Sequence, residues 1–204
     1  MLKPVIAFSA LLFGVVAPLA SAPSDTPLEP SAVKINVTGG HGSGVYLGNG
    51  YVLTARHVTA EASNEVEVET EHGTKLLGHI VWEDKVRDFA LVRIPTTPAV
   101  ATAKLACRSP LLAEVVTVAG WPADLGFIIT SGPLVGAARR VDIWETAWVF
   151  TVPIFGGNSG GPAYDHDGKV LGLVVGMLQN SQFGLMIPLE AVCAVLPSTV
   201  LASQ

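Results

Sequence analysis

Short apolar segments alternate with Gly, Asn and Asp along most of this chain. β-Branched residues dominate these segments, and several alternate apolar and polar positions with the period of two that is typical of half-buried β-strands. The clearest examples are residues 44–58, 65–70, 89–94, 114–120, 147–152 and 169–176. Many short strands separated by regular turn signals predict an all-β protein, either a barrel or a sandwich.

Two dipeptides predict where strands reverse direction. Asn49-Gly50 and Asp167-Gly168 lie beside apolar segments, and both dipeptides are preferred in tight hairpin turns. A helix is predicted mainly near the end of the chain, where residues 187–196 carry apolar side chains at helical spacing after Pro188.

The first 22 residues resemble a secretory signal peptide, with Lys3, an apolar run over residues 5–17 and small residues at positions 20–22. The run is shorter than the roughly 20 apolar residues that a membrane-spanning helix needs. Because cleavage would leave Pro23 as the new N-terminus, an uncleaved anchor stays open as an alternative. Residues 23–32 are rich in proline and polar residues, so we expect a linker there.

The rest of the chain, about 175 residues, is long enough for one domain or for two small lobes that share a cleft. The formal net charge of the whole chain is −5, and removal of residues 1–22 takes away only one charged residue, Lys3. An acidic chain without runs of Lys or Arg is not expected to bind nucleic acid. Cys-x-x-Cys and His-Glu-x-x-His spacings are absent, so we expect neither a metal site nor another cofactor.

The chain has two cysteines, Cys107 and Cys193. In an oxidising compartment they are compatible with one disulfide, and two buried free thiols fit the sequence nearly as well. The residues alone leave both states open.

Residues 156–162, GGNSGGP, place Ser159 between two pairs of glycines. The stretch fits the Gly-x-Ser-x-Gly elbow of the α/β-hydrolases, but that elbow leads from a strand into a helix. Gly160-Gly161-Pro162 is a poor helix opening, another strand pattern follows, and the only later histidine is His166, in a predicted hairpin turn. The elbow is therefore rejected, which leaves an ordinary glycine turn or another kind of nucleophile.

A serine hydroxyl becomes a useful nucleophile when a neutral imidazole accepts its proton and donors stabilise the oxyanion. His57 follows an apolar strand pattern in the motif TARHV, and Asp88 precedes the apolar segment FALVRI, where shielding from water would let it orient an imidazole. Taken alone, each of these residues also fits an ordinary surface position. The other histidines are His41, His72, His79 and His166.

The motifs TARHV, RDFALVRI and GGNSGGP, in this order on an all-β chain, resemble those of the trypsin-like serine proteases of the chymotrypsin fold. The resemblance extends from about residue 33 to residue 195. Further stretches look closest to the bacterial HtrA/Deg branch: residues 42–58, 113–122, 129–140 and 183–192. That branch usually carries a peptide-binding PDZ domain after the protease domain, and we expect none here because the sequence ends at Gln204.

This resemblance implies two six-stranded antiparallel β-barrels with the active site between them and a short C-terminal helix. Ser159 from the second barrel would attack the scissile carbonyl, His57 from the first would act as base and then acid, and Asp88 would fix the imidazole tautomer. Backbone N–H groups of Gly157 and Ser159 would form the oxyanion hole. The expected boundaries are residues 33–102 for the first barrel, 103–112 for the connection, 113–187 for the second barrel and 188–204 for the C-terminal helix and tail.

The resemblance also predicts features of substrate binding. Pro153 stands where trypsin has its acidic specificity residue, so the pocket lacks the charge that a basic P1 side chain would need. We expect aliphatic or small apolar P1 side chains, with pocket walls from Ile154, Val174, Val175 and Gly176. Many relatives support the catalytic aspartate with a hydroxyl residue at the position of Val175, and valine cannot supply that support.

Cys107 and Cys193 lie where some trypsin relatives join the inter-barrel connection to the C-terminal helix by a disulfide, so the resemblance implies this pairing.

From the motifs and the signal-like N-terminal segment together, we expect a secreted or periplasmic serine endopeptidase that acts on protein or peptide substrates through an acyl-enzyme. Two alternatives stay open: a catalytically silent relative that binds peptides, and an esterase that uses the same triad. We expect a membrane contact only if residues 1–22 stay attached, and a trimer would fit the HtrA resemblance by analogy.

Overall fold

The computed structural model describes residues 28, 30–95, 100–179, 181–197 and 200. The predicted signal peptide, residues 1–22, lies outside the described residues. Within them the protein is all-β, with two closed barrels of six antiparallel strands each and a short helix near the C-terminus. This confirms the predicted fold class.

The first barrel is built by the strands that precede residue 94. They are β1 Ala32–Val37, β2 Gly40–Gly48, β3 Tyr51–Ala55, β4 Glu65–Glu69, β5 Lys75–Asp84 and β6 Phe89–Arg93. Around the barrel they follow the order β1-β2-β3-β6-β5-β4. β2 and β3 are joined at Asn49 and Gly50, which both have positive φ (+49° and +75°), as the Asn-Gly signal predicts.

The second barrel is built by the strands that follow residue 114. They are β7 Val115–Gly120, β8 Ile128–Val141, β9 Trp144–Phe150, β10 Pro162–Tyr164, β11 Val170–Met177 and β12 Gly184–Pro188. Their order around the barrel is β10-β11-β12-β9-β8-β7. Large apolar side chains such as Leu134, Phe150 and Met186 fill the interior and are almost completely buried.

The two barrels pack against each other through their outer faces, which share one apolar cluster. On β3, Val52 fills the first barrel while the next residue, Leu53, lies in the shared cluster. On β6, Val92 likewise fills the first barrel, and the preceding residue, Leu91, lies in the shared cluster. Because these strands are buried on both faces, most of their residues are apolar, and polar and apolar positions do not alternate.

Two short helices complete the described fold. The helix α1, Arg56–Thr59, follows β3 directly and was not expected from the sequence pattern. The helix α2, Leu189–Cys193, is shorter than the predicted 187–196, because Ile187 and Pro188 pair with β11 as the last residues of β12. Among the described residues, no helix is long and apolar enough to cross a membrane.

The connection between the barrels is tied to α2. Cys107 and Cys193 form a disulfide with their Cα atoms 5.8 Å apart, and Ser109 Oγ donates a hydrogen bond to Glu190. Arg108 binds the carboxylates of Glu114 and Asp165, the latter at 2.9 Å. These contacts hold the connection against both the second barrel and the C-terminal helix.

Replacing Cys107 and Cys193 together by serine should lower the free energy of unfolding by about 2–4 kcal/mol, because the unfolded chain regains the freedom that the crosslink removes. Urea unfolding without reductant measures the loss. Reductant should destabilise the unchanged protein by a similar amount and leave the double variant unaffected. A double variant as stable as the unchanged protein, or two free thiols in the denatured, unreduced protein, would contradict a stabilising disulfide.

Candidate active site

His57 and Asp88 lie side by side at the ends of two paired strands of the first barrel. His57 belongs to α1, directly after β3, and Asp88 directly precedes β6, so the pairing of Ala55 with Phe89 brings them together. His57 Nδ1 lies 2.6 Å from Asp88 Oδ2, and the His57 backbone N–H donates to Asp88 Oδ1 at 2.8 Å. Because a carboxylate only accepts hydrogen bonds, Nδ1 carries the proton and leaves Nε2 of the neutral ring as an acceptor.

The two partners differ sharply in burial. The Asp88 side chain is 1% exposed, whereas the His57 side chain is 35% exposed. A buried carboxylate is costly unless it is paired and hydrogen-bonded, and both oxygens of Asp88 accept N–H donors. Asp88 also has φ +62°, a left-handed conformation that aspartate tolerates better than most residues.

Ser159 lies in the loop between β9 and β10 of the second barrel. Its carbonyl oxygen accepts a hydrogen bond from the Ser43 N–H at 2.7 Å, so the loop is attached to the first barrel. Ser159 Oγ donates to the carbonyl oxygen of Val175 at 3.4 Å. Within the part of the chain that the structure describes, Ser159 Oγ has no hydrogen bond to His57. Catalytic hydrogen bonds are often long or unformed before substrate binds.

The backbone of the Ser159 loop presents two free donors. Among the described residues, the N–H groups of Gly157 and Ser159 have no acceptor, although Asn158 between them donates to Phe155 at 3.1 Å. Buried backbone donors without partners are rare. Two such donors beside a serine hydroxyl are what an oxyanion hole requires.

Gly157 is held in place by a hydrogen bond from Ser43 and by close packing against Trp121 and His41. Ser43 Oγ donates to the Gly157 carbonyl at 2.7 Å and accepts the Trp121 N–H at 3.2 Å. His41 Nε2 lies 2.9 Å from the Trp121 carbonyl. Gly157 has φ +100°, and a Cβ there would lie 2.1 Å from Trp121 O and 2.6 Å from His41 Nε2. Sequence reasoning missed these roles of Ser43 and His41, because the contacts that define them join residues far apart in sequence, although Ser43 lies in the HtrA-like stretch 42–58.

The predicted pocket residues lie in different environments. Pro153 is exposed and Gly176 is half-buried. Ile154, 5% exposed, and the fully buried Val174 belong to the interior of the second barrel, while Val175 packs in the cluster between the barrels. Pro153 and Gly176 are therefore accessible from solvent, whereas Ile154, Val174 and Val175 are buried in apolar packing.

Gly184 adds a contact that was not predicted. It pairs with Met177, the residue after Gly176. A Cβ on Gly184 would lie 2.2 Å from the Phe150 ring and 2.7 Å from Ile154 Cγ1. The space beside Gly184 is therefore already filled by apolar side chains.

The remaining histidines lie away from this arrangement. His72 is exposed, His79 lies 3.6 Å from Glu65, and His166 lies 3.3 Å from Asp167. Among the described residues, no three His, Cys, Asp or Glu side chains are grouped so that they could hold a metal ion.

Trp144, the first residue of β9, contacts the His57–Asp88 pair from the second barrel. Its indole N–H donates to Asp88 Oδ2 at 3.1 Å. Its ring meets the His57 ring edge to face, with centroids 6.3 Å apart. The sequence carries no signal for this role, because Trp144 lies in an ordinary hairpin 56 residues from Asp88.

Comparison with known proteins agrees with this geometry. Residues 42–173 match the trypsin-like peptidase domain. The chain belongs to this family. Serine protease Do-like HtrA of Bacillus subtilis (strain 168) is 30% identical over 148 residues, which cover 66% of this chain and 33% of that protein. Serine endoprotease DegS of Escherichia coli (strain K12) is 31% identical over 138 residues, which cover 65% of this chain and 38% of that protein.

A solved structure extends the similarity to three dimensions. The inactive form of the Rv3671c protease, from M. tuberculosis, is 27% identical, and the match covers 82% of this chain and 87% of that chain with a TM-score of 0.72. The expected resemblance to the HtrA/Deg branch of trypsin-like peptidases is confirmed. The chain spans only about a third of the length of the HtrA and DegS relatives.

Gly160 gives a test of how the Ser159 loop fits the first barrel. Its φ is +83°, and a Cβ there would lie 2.2 Å from Ser43 O and 2.2 Å from Thr54 Oγ1. We expect Gly160→Ala to lower the free energy of unfolding by about 1–3 kcal/mol from backbone strain alone, with overlap adding to the loss.

Gly156→Ala is the matched control, because a Cβ at Gly156 would meet nothing within 4 Å and its φ lies outside the left-handed region. It should change the free energy of unfolding by less than about 0.5 kcal/mol. Urea unfolding of both variants gives the comparison, and equal stabilities would show that Gly160 is not held against the first barrel.

Proposed function

We propose that this trypsin-like peptidase is a serine endopeptidase that cleaves protein or peptide substrates through an acyl-enzyme. The observation that carries the proposal is the hydrogen-bonded pair of the buried Asp88 and the partly exposed His57, together with a serine loop that has two N–H donors without an acceptor among the described residues. The relatives HtrA and DegS, which are named as serine proteases, support the same class of reaction.

In the proposed mechanism, Ser159 Oγ turns from the Val175 carbonyl, gives its proton to His57 Nε2 and bonds to the scissile carbonyl carbon. The carbonyl oxygen becomes an oxyanion that accepts hydrogen bonds from the Gly157 and Ser159 N–H groups. The C–N bond then breaks as His57 returns the proton to the leaving amine. Water, deprotonated by His57, attacks the acyl-enzyme in the same way and releases Ser159.

Asp88 acts throughout this cycle without gaining a proton. Its bond to Nδ1–H holds the ring in the tautomer whose Nε2 can accept from Ser159, and its charge stabilises the imidazolium that forms. Because Asp88 is 1% exposed, water does not weaken this interaction as it would at the surface.

We propose that the substrate pocket prefers aliphatic or small apolar P1 side chains. Pro153 brings no charge to the position where trypsin has its acidic residue. Ile154 and Phe150 fill the space beside Gly184, which pairs with the residue after the predicted pocket residue Gly176, so the surroundings of this position are apolar. A buried cation without a partner would be costly in such surroundings.

We propose a secreted or periplasmic location. The signal-like residues 1–22 support it, and a relative in Halomonas elongata is named as a probable periplasmic serine endoprotease. The Cys107–Cys193 disulfide is also typical of proteins in oxidising compartments.

A second candidate function is peptide binding without cleavage. The observation that favours it is the Ser159 hydroxyl, which among the described residues is bonded to the Val175 carbonyl rather than to His57. Labelling of Ser159 with a reactive probe, described next, separates peptide binding from peptide cleavage.

Labelling with a fluorophosphonate probe, read by intact mass, tests whether Ser159 is activated. We expect one adduct on the unchanged protein and none on Ser159→Ala, because only an activated serine beside a formed oxyanion hole reacts. Asp88→Asn should slow the labelling by about 10⁴-fold, since the amide favours the wrong imidazole tautomer. Ser131→Ala, an exposed serine on β8, is the control and should label normally. A folded protein that gains no adduct would favour peptide binding instead.

A peptide library tests the proposed specificity. We expect cleavage mainly after aliphatic or small apolar residues, and Pro153→Asp should raise the relative rate after Lys and Arg by about tenfold, because one favourable ion pair contributes on this scale. Pro153→Asn is the uncharged control and should leave the preference unchanged. Cleavage mainly after Lys or Arg by the unchanged protein would refute the proposed pocket.

A further inference from the structure

The Asp88 carboxylate has a side-chain donor that the trypsin-like motifs do not mark. Valine at position 175 is 2% exposed and has no hydroxyl, so its side chain cannot donate to the aspartate. The Trp144 indole N–H instead reaches Asp88 Oδ2 at 3.1 Å, the same oxygen that accepts the His57 Nδ1–H. The function of the missing hydroxyl can therefore be served by a residue from a different strand.

We propose that Trp144 is a positioning residue that holds the Asp88 carboxylate, and through it the His57 imidazole, in the reactive arrangement. This inference rests on the proposed endopeptidase function. Trp144 acts through Asp88 and takes no part in the transfer of the proton.

The hydrogen bonds of Asp88 explain why a second donor on Oδ2 matters. Oδ1 is fixed by the His57 backbone N–H at 2.8 Å, while Oδ2 accepts only from the His57 ring and the Trp144 indole among the described residues. Without the indole N–H, the imidazole itself would be the only group that orients Oδ2. A buried oxygen that loses a donor is penalised by desolvation, which favours rearrangement of the pair.

Both packing and the hydrogen bond act on Trp144, which is partly buried against the apolar cluster between the barrels while its N–H points to Asp88. One edge faces the His57 ring, and a Cβ on Gly176 would lie 3.7 Å from Trp144 Cη2, so the indole lies over this glycine. Another part of the side chain borders a cavity of about 310 Å³ that is also lined by Val86, Arg87 and Ile187. Packing therefore does not enclose the indole on this side, and the hydrogen bond to Asp88 helps to fix its orientation.

The test removes the indole N–H while it keeps the ring. Replacement of Trp144 by 3-benzothienylalanine substitutes sulfur for N–H in a side chain of nearly the same shape, and Trp144→Phe provides a second deletion of the donor. Trp148→Phe is the matched control, since Trp148 lies on the same strand and packs against the interior of the second barrel.

Two readouts are measured on each protein. The first is the second-order rate of Ser159 labelling by a small fluorophosphonate, which lacks the peptide contacts through which a substrate subsite would act. The second is the far-downfield proton resonance of His57 Nδ1–H, which reports its bond to Asp88. We expect both Trp144 replacements to slow labelling by about 10-fold to 100-fold, the range for a hydrogen bond to a charged group, and to shift the resonance. Trp148→Phe should change neither.

The proposal would be overturned if the benzothienylalanine protein were labelled at the same rate as the unchanged protein and its His57 Nδ1–H resonance were not shifted, because the ring would then act only by packing. That analogue decides the matter even if Trp144→Phe fails to fold. If the unchanged protein is never labelled, the endopeptidase function fails, but the resonance still tests whether Trp144 orients the pair: a shift in the analogue supports the inference and no shift overturns it.

Discussion

The contact between the outer faces of the two barrels is the interaction on which the rest of this structure depends. Leu53 and Leu91 from the first barrel and Leu173 and Leu185 from the second lie in one buried cluster. The candidate site lies where this contact reaches the surface of both barrels. Ser159 is attached to the first barrel through the Ser43 N–H, and Asp88 is attached to the second through Trp144. The residues of the candidate site that come from one barrel are therefore held in place by hydrogen bonds to the other barrel.

The fold could be predicted, and three candidate catalytic residues could be proposed, because the signals for both are local. Strand periodicity depends on neighbouring residues, and TARHV, RDFALVRI and GGNSGGP are short stretches that each contain one candidate residue. The Asn49-Gly50 turn was predictable for the same reason, since positive φ is a property of the dipeptide itself. The order of the motifs then limited the arrangement to one known architecture.

The rest depends on contacts between residues that are far apart in sequence. Ser43 supports Gly157 across 114 positions, and Trp144 reaches Asp88 across 56. Ser43 lies in the HtrA-like stretch 42–58, but that stretch does not show which distant residue its hydroxyl contacts, and nothing in the sequence around Trp144 distinguishes it from another tryptophan in a β-hairpin. The start of α2 was predicted poorly for a related reason, because pairing with β11 keeps residues 187 and 188 in the sheet although their local pattern suits a helix. Tertiary pairing here outweighs local preference.

The hairpin that carries Trp144 has a consequence for how this protein can vary. β8 and β9 are joined by Asp142 and Ile143, with Val141 paired to Trp144 and Asp142 at φ +52°. Surface turns usually tolerate insertions and deletions. Side chains alternate between the two faces of a strand. If one residue were inserted in this turn and β9 paired with β8 one position further along, the Trp144 indole would lie on the opposite face of β9, away from Asp88. The length of this turn is therefore constrained by the orientation of a carboxylate buried between the barrels.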